Sequence, residues 1–349
     1  MQIGVVGILL TTLCVATPIA HAALNVTTSP VFSLDFSDAT KVSGSTWTDQ
    51  VAAKSAAAVG TTFSTESGGI ETFTATTSYL DFGATASGTS TNPTSDVSGE
   101  VWVRFNTFNT NWNIFMTRWF SDLAGGQSDA ADFHFSVYSA TGAANTQHLN
   151  LYTTGKADLN GATTILTGKW YHFVFTVDNT STTKRIVLYV NGVEDANFTS
   201  VTSLRTSKPN AKLIIGDSRA NTGLNGQMAR ARLYDKALTA AEVLSNFKAE
   251  RSTLGYASTV TLSASNSTYR LPTTLTAATS GAGKVAFYAS GKIISGCQRK
   301  TAVTSATCSW KPNRHGPVDL SALFTPTDTY LAPSSGTKKV LIAPRTTPR

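Results

Sequence analysis

The stretch Gly168-Lys169-Trp170-Tyr171-His172-Phe173-Val174-Phe175-Thr176-Val177, followed by Ile186-Val187-Leu188-Tyr189-Val190-Asn191-Gly192, decides the fold. Tyr171, Phe173, Phe175 and Val177 recur at a spacing of two. Successive strand side chains point to opposite sides, so this spacing lines one face of a strand. Ile186, Leu188 and Val190 repeat the pattern. Asn191-Gly192 comes directly after, and both residues tolerate positive φ, so a tight hairpin turn is predicted there.

Working outward, the same alternation recurs along most of the chain. Phe32, Leu34 and Phe36 form one row, Val101, Val103 and Phe105 another, and Phe133, Phe135 and Val137 a third. Glu100, Trp102 and Arg104 fall opposite the second row, and Glu100 is expected as a solvated edge charge. One helix is predicted. Thr239-Ala240-Ala241-Glu242 is a capping box, in which the Thr hydroxyl and the Glu carboxylate satisfy each other's backbone N–H groups. Val243, Leu244 and Phe247 supply its apolar face, Arg251 falls in its last turn, and Gly255 is expected to end it.

After Gly255 the texture changes. Six short alternating runs between Thr259 and Ile342 are separated by Gly, Pro and Ser turns, which suggests a second, smaller β-sandwich. The expected fold class is therefore all-β: a large antiparallel β-sandwich with one short C-terminal helix, plus a small immunoglobulin-like β-sandwich; the resemblance given below implies that the large sandwich is a jelly roll. The expected segments are 1–22, 23–255, 256–343 and a frayed end at 344–349.

Residues 1–22 have the pattern of a secretory signal peptide. Ile3 to Ala16 is apolar, Pro18 breaks the run, and Ala20-His21-Ala22 is a small-x-small cleavage site. The run is shorter than the ~20 residues of a spanning helix. A secreted, extracellular or cell-surface protein is expected rather than a transmembrane one. Cleavage leaves Cys297 and Cys308, which an oxidising compartment would join as a disulfide.

Charge is divided unevenly. From Ala23 to Gly255 there are 17 Lys+Arg against 19 Asp+Glu; from Tyr256 onward there are 11 against 2. The basic second half points either to solubility alone or to contact with an anionic cell-surface polymer. It has few interleaved aromatics, so nucleic acid is not the expected partner.

The Gly168–Val177 strand with its Asn-Gly hairpin, together with Leu213-Ile214-Ile215-Gly216, Leu224-Asn225-Gly226-Gln227-Met228 and Arg232 to Glu242, resembles the laminin-G-like, concanavalin A-like lectin/glucanase jelly rolls. That resemblance implies two stacked antiparallel sheets. It also implies a glycan or other surface ligand, often with a calcium ion at the sandwich rim. An acidic residue common in the family's terminal strand is replaced here by Ala229 and Arg230. The segment Gly283-Lys284-Val285-Ala286-Phe287-Tyr288, with Gly296-Cys297, Ala306-Thr307-Cys308-Ser309-Trp310 and Phe324 to Tyr330, resembles bacterial immunoglobulin-like domains. These imply a spacer or contact module.

Catalytic signatures are weak. Glycoside hydrolysis needs paired carboxylates, and no Glu is followed two positions later by Asp or Glu. There is no Gly-x-Ser-x-Gly elbow. His134, His148, His172 and His315 share no zinc-ligand spacing. Calcium wants several oxygens from a flexible loop, and Asp122, Asp129 and Asp132 are its candidate ligands; a solvated acidic loop is the alternative. Flat rings cover the apolar face of a pyranose, which makes Trp102, Trp112 and Trp119 the candidate ligand-binding residues, with Tyr138 and Tyr152 nearby. The expectation is a secreted, non-catalytic binding module for carbohydrate or a cell-surface ligand. The alternatives are an adhesion or structural protein without a glycan site, and a divergent glycoside hydrolase or lyase. Oligomeric state is not encoded in any of these features.

Overall fold

The computed structural model describes residues 29–66, 69–74, 78–84, 88–93, 95–119, 132–139, 146–208, 211–217 and 222–345. The expected signal peptide lies outside the described residues. Within them strand is the dominant regular structure, with one α-helix and one short 3-10 turn.

Two large sheets are built from residues 32–234. The first runs Val193–Ser200, Lys184–Val190, Trp170–Asp178, Val97–Phe105, Gly226–Tyr234, Ile70–Phe73, Thr61–Ser64, with Phe32–Asp35 also paired to Gly226–Tyr234. The second runs Lys156–Thr164, His148–Thr153, Phe133–Tyr138, Trp112–Trp119, Lys212–Gly216, Tyr79–Ala84, and then three short strands from Ser55–Val59 back to Val42–Ser43. All the pairings in these two sheets are antiparallel. Their facing sides bury the alternating rows identified from sequence: Phe32, Leu34, Val101, Val103, Phe133, Phe135, Phe173, Phe175, Ile186 and Leu188 share one core. Rings interlock across it, with Phe135 edge-on to Phe175 at 4.9 Å.

The predicted hairpin is present. Val190 pairs with Val193 around a two-residue turn, and Asn191 and Gly192 have φ of 53° and 80°. Glycine is needed at 192 for a second reason. A Cβ there would lie 3.0 Å from Leu244 Cδ1 and 3.1 Å from Phe247 Cβ, because the turn packs against the helix.

The helix spans Ala240–Glu250, with Thr239 as N-cap and both halves of the capping box formed. It ends earlier than expected. Arg251 is the C-cap, and its guanidinium donates to the carbonyls of Thr329 and Tyr330. The helix covers the centre of the outer face of the first sheet and closes that part of it to water. Val243 packs with Val174, Val187, Tyr189 and Tyr234; Phe247 packs with Trp102, Trp170 and Leu254.

Residues 260–343 form two further sheets. One contains Val260–Ser263, Thr273–Thr279 and Ser305–Trp310; the other is centred on Gly283–Ala289, Gly316–Pro326 and Ser334–Ala343. They enclose a separate core of Leu275, Val285, Phe287, Leu320, Phe324 and Ile342 among others. Cys297 and Cys308 form a disulfide at its edge. No helix among the described residues is long and apolar enough to cross a membrane.

Candidate functional site

Strand alternation in the second large sheet sends polar and aromatic residues to the side away from the core. Register then sets them in rows. Tyr138 is opposite both Trp112 and His148. Ser136 is opposite Asn150, which is opposite Asn160. His134 is opposite Thr117 and Tyr152. Neighbouring strands lie ~4.8 Å apart and alternate residues ~7 Å apart, so these side chains tile one continuous face.

The floor of this face is polar and buried: Thr117, Ser136 and Asn150 are almost inaccessible. Such groups need partners. Asn150 donates to Asp158 Oδ1 at 3.1 Å and to Asn160 Oδ1 at 2.9 Å, and Thr117 donates to the Phe133 carbonyl. His148 Nδ1 lies 2.8 Å from the Gly161 carbonyl, so that nitrogen carries the proton. Loss of surrounding water pushes the Asp158 carboxyl above its ordinary value, against the lowering effect of the Asn150 hydrogen bond. Aromatic rings stand at both ends. Trp112 and Tyr138 contact at 4.6 Å with a 49° tilt, and His134 meets Tyr152 edge-on at 5.9 Å. Trp112, Tyr138, His148, Tyr152 and Asn160 are partly exposed and Asp158 is exposed.

Trp112 stands beside Tyr138 at one end of this face, and Tyr152 stands at the other. Trp102 does not join them, because it belongs to the other sheet. It is 0% exposed, stacks on Phe247 at 5.6 Å, and donates through Nε1 to Glu250 at 2.9 Å. The expectation of an open Trp102 face is corrected: the helix that the capping box starts lies on top of it. The backbone of Trp119 pairs with Lys212; its side chain lies outside the described residues.

Asp122 and Asp129 also lie outside the described residues. Asp132 is fully buried and engages two guanidinium groups. Arg118 Nε donates to it at 3.1 Å, and Arg205 donates through Nε at 2.6 Å and Nη2 at 2.5 Å. A calcium ion taking Asp132 as ligand would have to displace both arginines, so this residue does not fit a rim calcium site. Among the described residues no three His, Cys, Asp or Glu side chains are grouped to hold a metal.

A second polar cluster lies under the helix, and the sequence reading missed it. Glu100 is 0% exposed, not an edge charge. Arg232 donates to Glu100 at 2.7 Å and to Glu250 at 2.6 Å. Tyr234 and Asn246 each donate to Glu100 at 2.7 Å, and His172 Nε2 lies 3.1 Å from it. A carboxylate only accepts, so His172 carries its proton on Nε2. Burial alone would raise both glutamates. The Arg232 charge and the converging donors outweigh it and hold Glu100 well below the usual carboxylate range, with Glu250 also lowered. Arg230, the residue replacing the family's acid, pairs with Asp35 at 2.8 Å and Glu250 at 3.4 Å. Only contact between the helix and the outer sheet face could have revealed this, and strand periodicity carries no such signal.

No curated protein matches the chain in sequence. The similar solved structures are distant. Domain 4 of AbnA, a GH43 extracellular arabinanase from Geobacillus stearothermophilus solved with arabinotriose, is 18% identical with a TM-score of 0.46, covering 62% of this chain and 98% of that one. Trypanosoma rangeli sialidase in complex with sialic acid is 15% identical with a TM-score of 0.47, over 62% of this chain and 32% of the sialidase. A SAP-like pentraxin from Limulus polyphemus is 17% identical with a TM-score of 0.36, over 44% of this chain and 70% of that one. Residues 73–244, just under half of the chain, match the family model described as the concanavalin A-like lectin/glucanases superfamily, and the two stacked antiparallel sheets to which they contribute have a jelly-roll, concanavalin A-like fold.

Proposed function

We propose that this is a secreted, non-catalytic carbohydrate-binding protein that takes its ligand on the outer face of the second large sheet. The observation that carries the reading is the partly exposed Trp112–Tyr138 ring pair, with His148 and Asn160 also partly exposed on the same face. Rings cover the apolar face of a sugar, and amides and hydroxyls match its hydroxyl groups without charge. The superfamily of residues 73–244 supports a glycan as the ligand class. The basic C-terminal sandwich is proposed as an immunoglobulin-like spacer or surface-contact module.

The hydrolase alternative is opposed by the spacing of the two carboxylates that the described strands of this sheet carry. Asp158 stands at one edge and Asp81, paired to Lys212, stands five strand spacings away. At ~4.8 Å per strand that is roughly 24 Å, whereas hydrolytic pairs need ~5 to 9.5 Å. Glu100 and Glu250 do converge, but both are held ionised beneath the helix, where neither serves as a general acid. A glycan array probed with the full chain and with Trp112→Ala/Tyr138→Ala tests the proposal. Glycan signals that disappear in the variant support it. Silence of the unaltered protein on every glycan favours the adhesion or structural reading, and release of reducing sugar from a bound glycan favours the hydrolase.

A further inference from the structure

The C-terminal sandwich contains a groove that neither the jelly-roll match nor the sugar face accounts for. One wall is the hairpin end at residues 289–295, the other the strand end and loop at residues 309–314. The groove encloses about 780 Å³. Its floor is apolar: Ile294, Val318 and Trp310 are at most 8% exposed. Its rim is cationic: Lys292, Lys311 and Arg314 are all exposed, and none of the groove's lining residues is acidic. Arg314 donates to Ser290 Oγ on the opposite wall. Asn313 and Ser309 add neutral hydrogen-bonding groups. Across the same hairpin turn, Lys338 and Lys339 line a second recess, where Lys339 is 3.7 Å from Asp319.

We infer that this groove binds a segment of an acidic polysaccharide, a chain whose sugars carry carboxylate or sulfate groups. Three unneutralised cations above an apolar floor match a polymer that is anionic at its substituents and apolar on its ring faces. A single-stranded nucleic acid wants exposed ring faces for its bases, and Trp310 is only 8% exposed. An anionic membrane is met by a projecting basic or amphipathic surface rather than by a recess. The disulfide supports the same assignment. Cys297 follows the first wall by two residues and Cys308 precedes the second by one, so the cross-link holds the two walls at a fixed separation. The inference deepens the surface-contact reading of this sandwich and rests on it, not on the sugar face of the jelly roll.

Affinity electrophoresis of the full chain through gels containing polygalacturonate or neutral dextran tests the inference. Polygalacturonate is expected to retard the protein, progressively less as salt rises, because screening shortens the reach of exposed charges to ~8 Å at 0.15 M. Lys292→Glu/Lys311→Glu/Arg314→Glu should weaken retardation at least tenfold, and Lys311→Gln, which disturbs no packing, at least threefold. The control Lys284→Glu/Arg299→Glu/Arg345→Glu makes the same charge change outside the groove and should weaken it less than threefold. Trp112→Ala/Tyr138→Ala should leave polygalacturonate retardation intact, which separates this site from the sugar face. Equal losses in the two charge-reversal variants, or no retardation at low salt, would overturn the inference. So would tighter binding to single-stranded DNA or to phosphatidylglycerol vesicles than to polygalacturonate.

Discussion

The indole of Trp102 donates to the carboxylate of Glu250 across 148 residues of sequence and 2.9 Å of space. One partner lies on the outer face of a central strand and the other at the end of the only α-helix among the described residues. Between them Arg232 holds Glu250 and Glu100 together. The seam between helix and sheet is thus ionic at its centre and aromatic around it.

Removing the cation should expose this dependence. Arg232→Ala leaves Glu100 buried without its guanidinium and Glu250 with only the longer Arg230 contact, and breaking a buried pair from one side costs about 3–5 kcal/mol. Urea unfolding should show a loss of that size in the transition of the jelly roll. A loss below ~1 kcal/mol would mean that water reaches the seam.

Acid should act on the same seam. Glu100 and Glu250 both have folded-state pKa values below their unfolded ones. Their stabilisation is therefore complete above the ordinary glutamate range, begins to be lost as pH enters it and goes on being lost down through the lower folded-state values, because the unfolded chain takes up protons that the folded one refuses. Unfolding free energy should decline steadily from about pH 5 to pH 3, the ordinary carboxylate region. Glu100→Gln should flatten the decline, and an unchanged slope in that variant would contradict the assignment.

Asp132 offers a test of the calcium expectation. Asp132→Asn removes the charge that balances Arg118 and Arg205, so stability should fall by about 3–5 kcal/mol with calcium present or chelated. A loss seen only in calcium would show that the ion, not the arginine pair, is the partner of this carboxylate.

The disulfide should matter to one sandwich only. Reduction, or Cys297→Ser/Cys308→Ser, opens a short loop, and the chain-entropy estimate for such a loop is about 3 kcal/mol at most. Two-step thermal unfolding should show the C-terminal transition shifted down and the jelly-roll transition unmoved.

Most of the strand architecture was legible, because a period of two survives wherever one face is buried. The rows through Phe173 and Val101, the Asn191-Gly192 turn and the Thr239 capping box were all visible for that reason. The failures share one physical cause. Glu100 and Trp102 occupy the polar phase of their strand, and periodicity assigns that phase to solvent. The helix shields it instead, and contact across 148 residues leaves no local pattern. Trp112, Tyr138 and Tyr152 were visible as aromatics, but their meeting with Ser136 and Asn150 depends on cross-strand register. Alternation alone does not fix that register.

The turn at Asn191 has a consequence for anyone dividing this chain. Its side chain accepts from the His172 backbone N–H and donates to the Tyr256 hydroxyl, which donates in turn to the Trp170 carbonyl. The change of texture at Gly255 invites a cut there, yet Tyr256 belongs to this relay and its ring packs on Phe247. A fragment ending at 255 would have a hole beside its helix and an amide seeking a partner. One ending a few residues later would keep the relay and lose the Thr329 and Tyr330 contacts of Arg251 and Phe247.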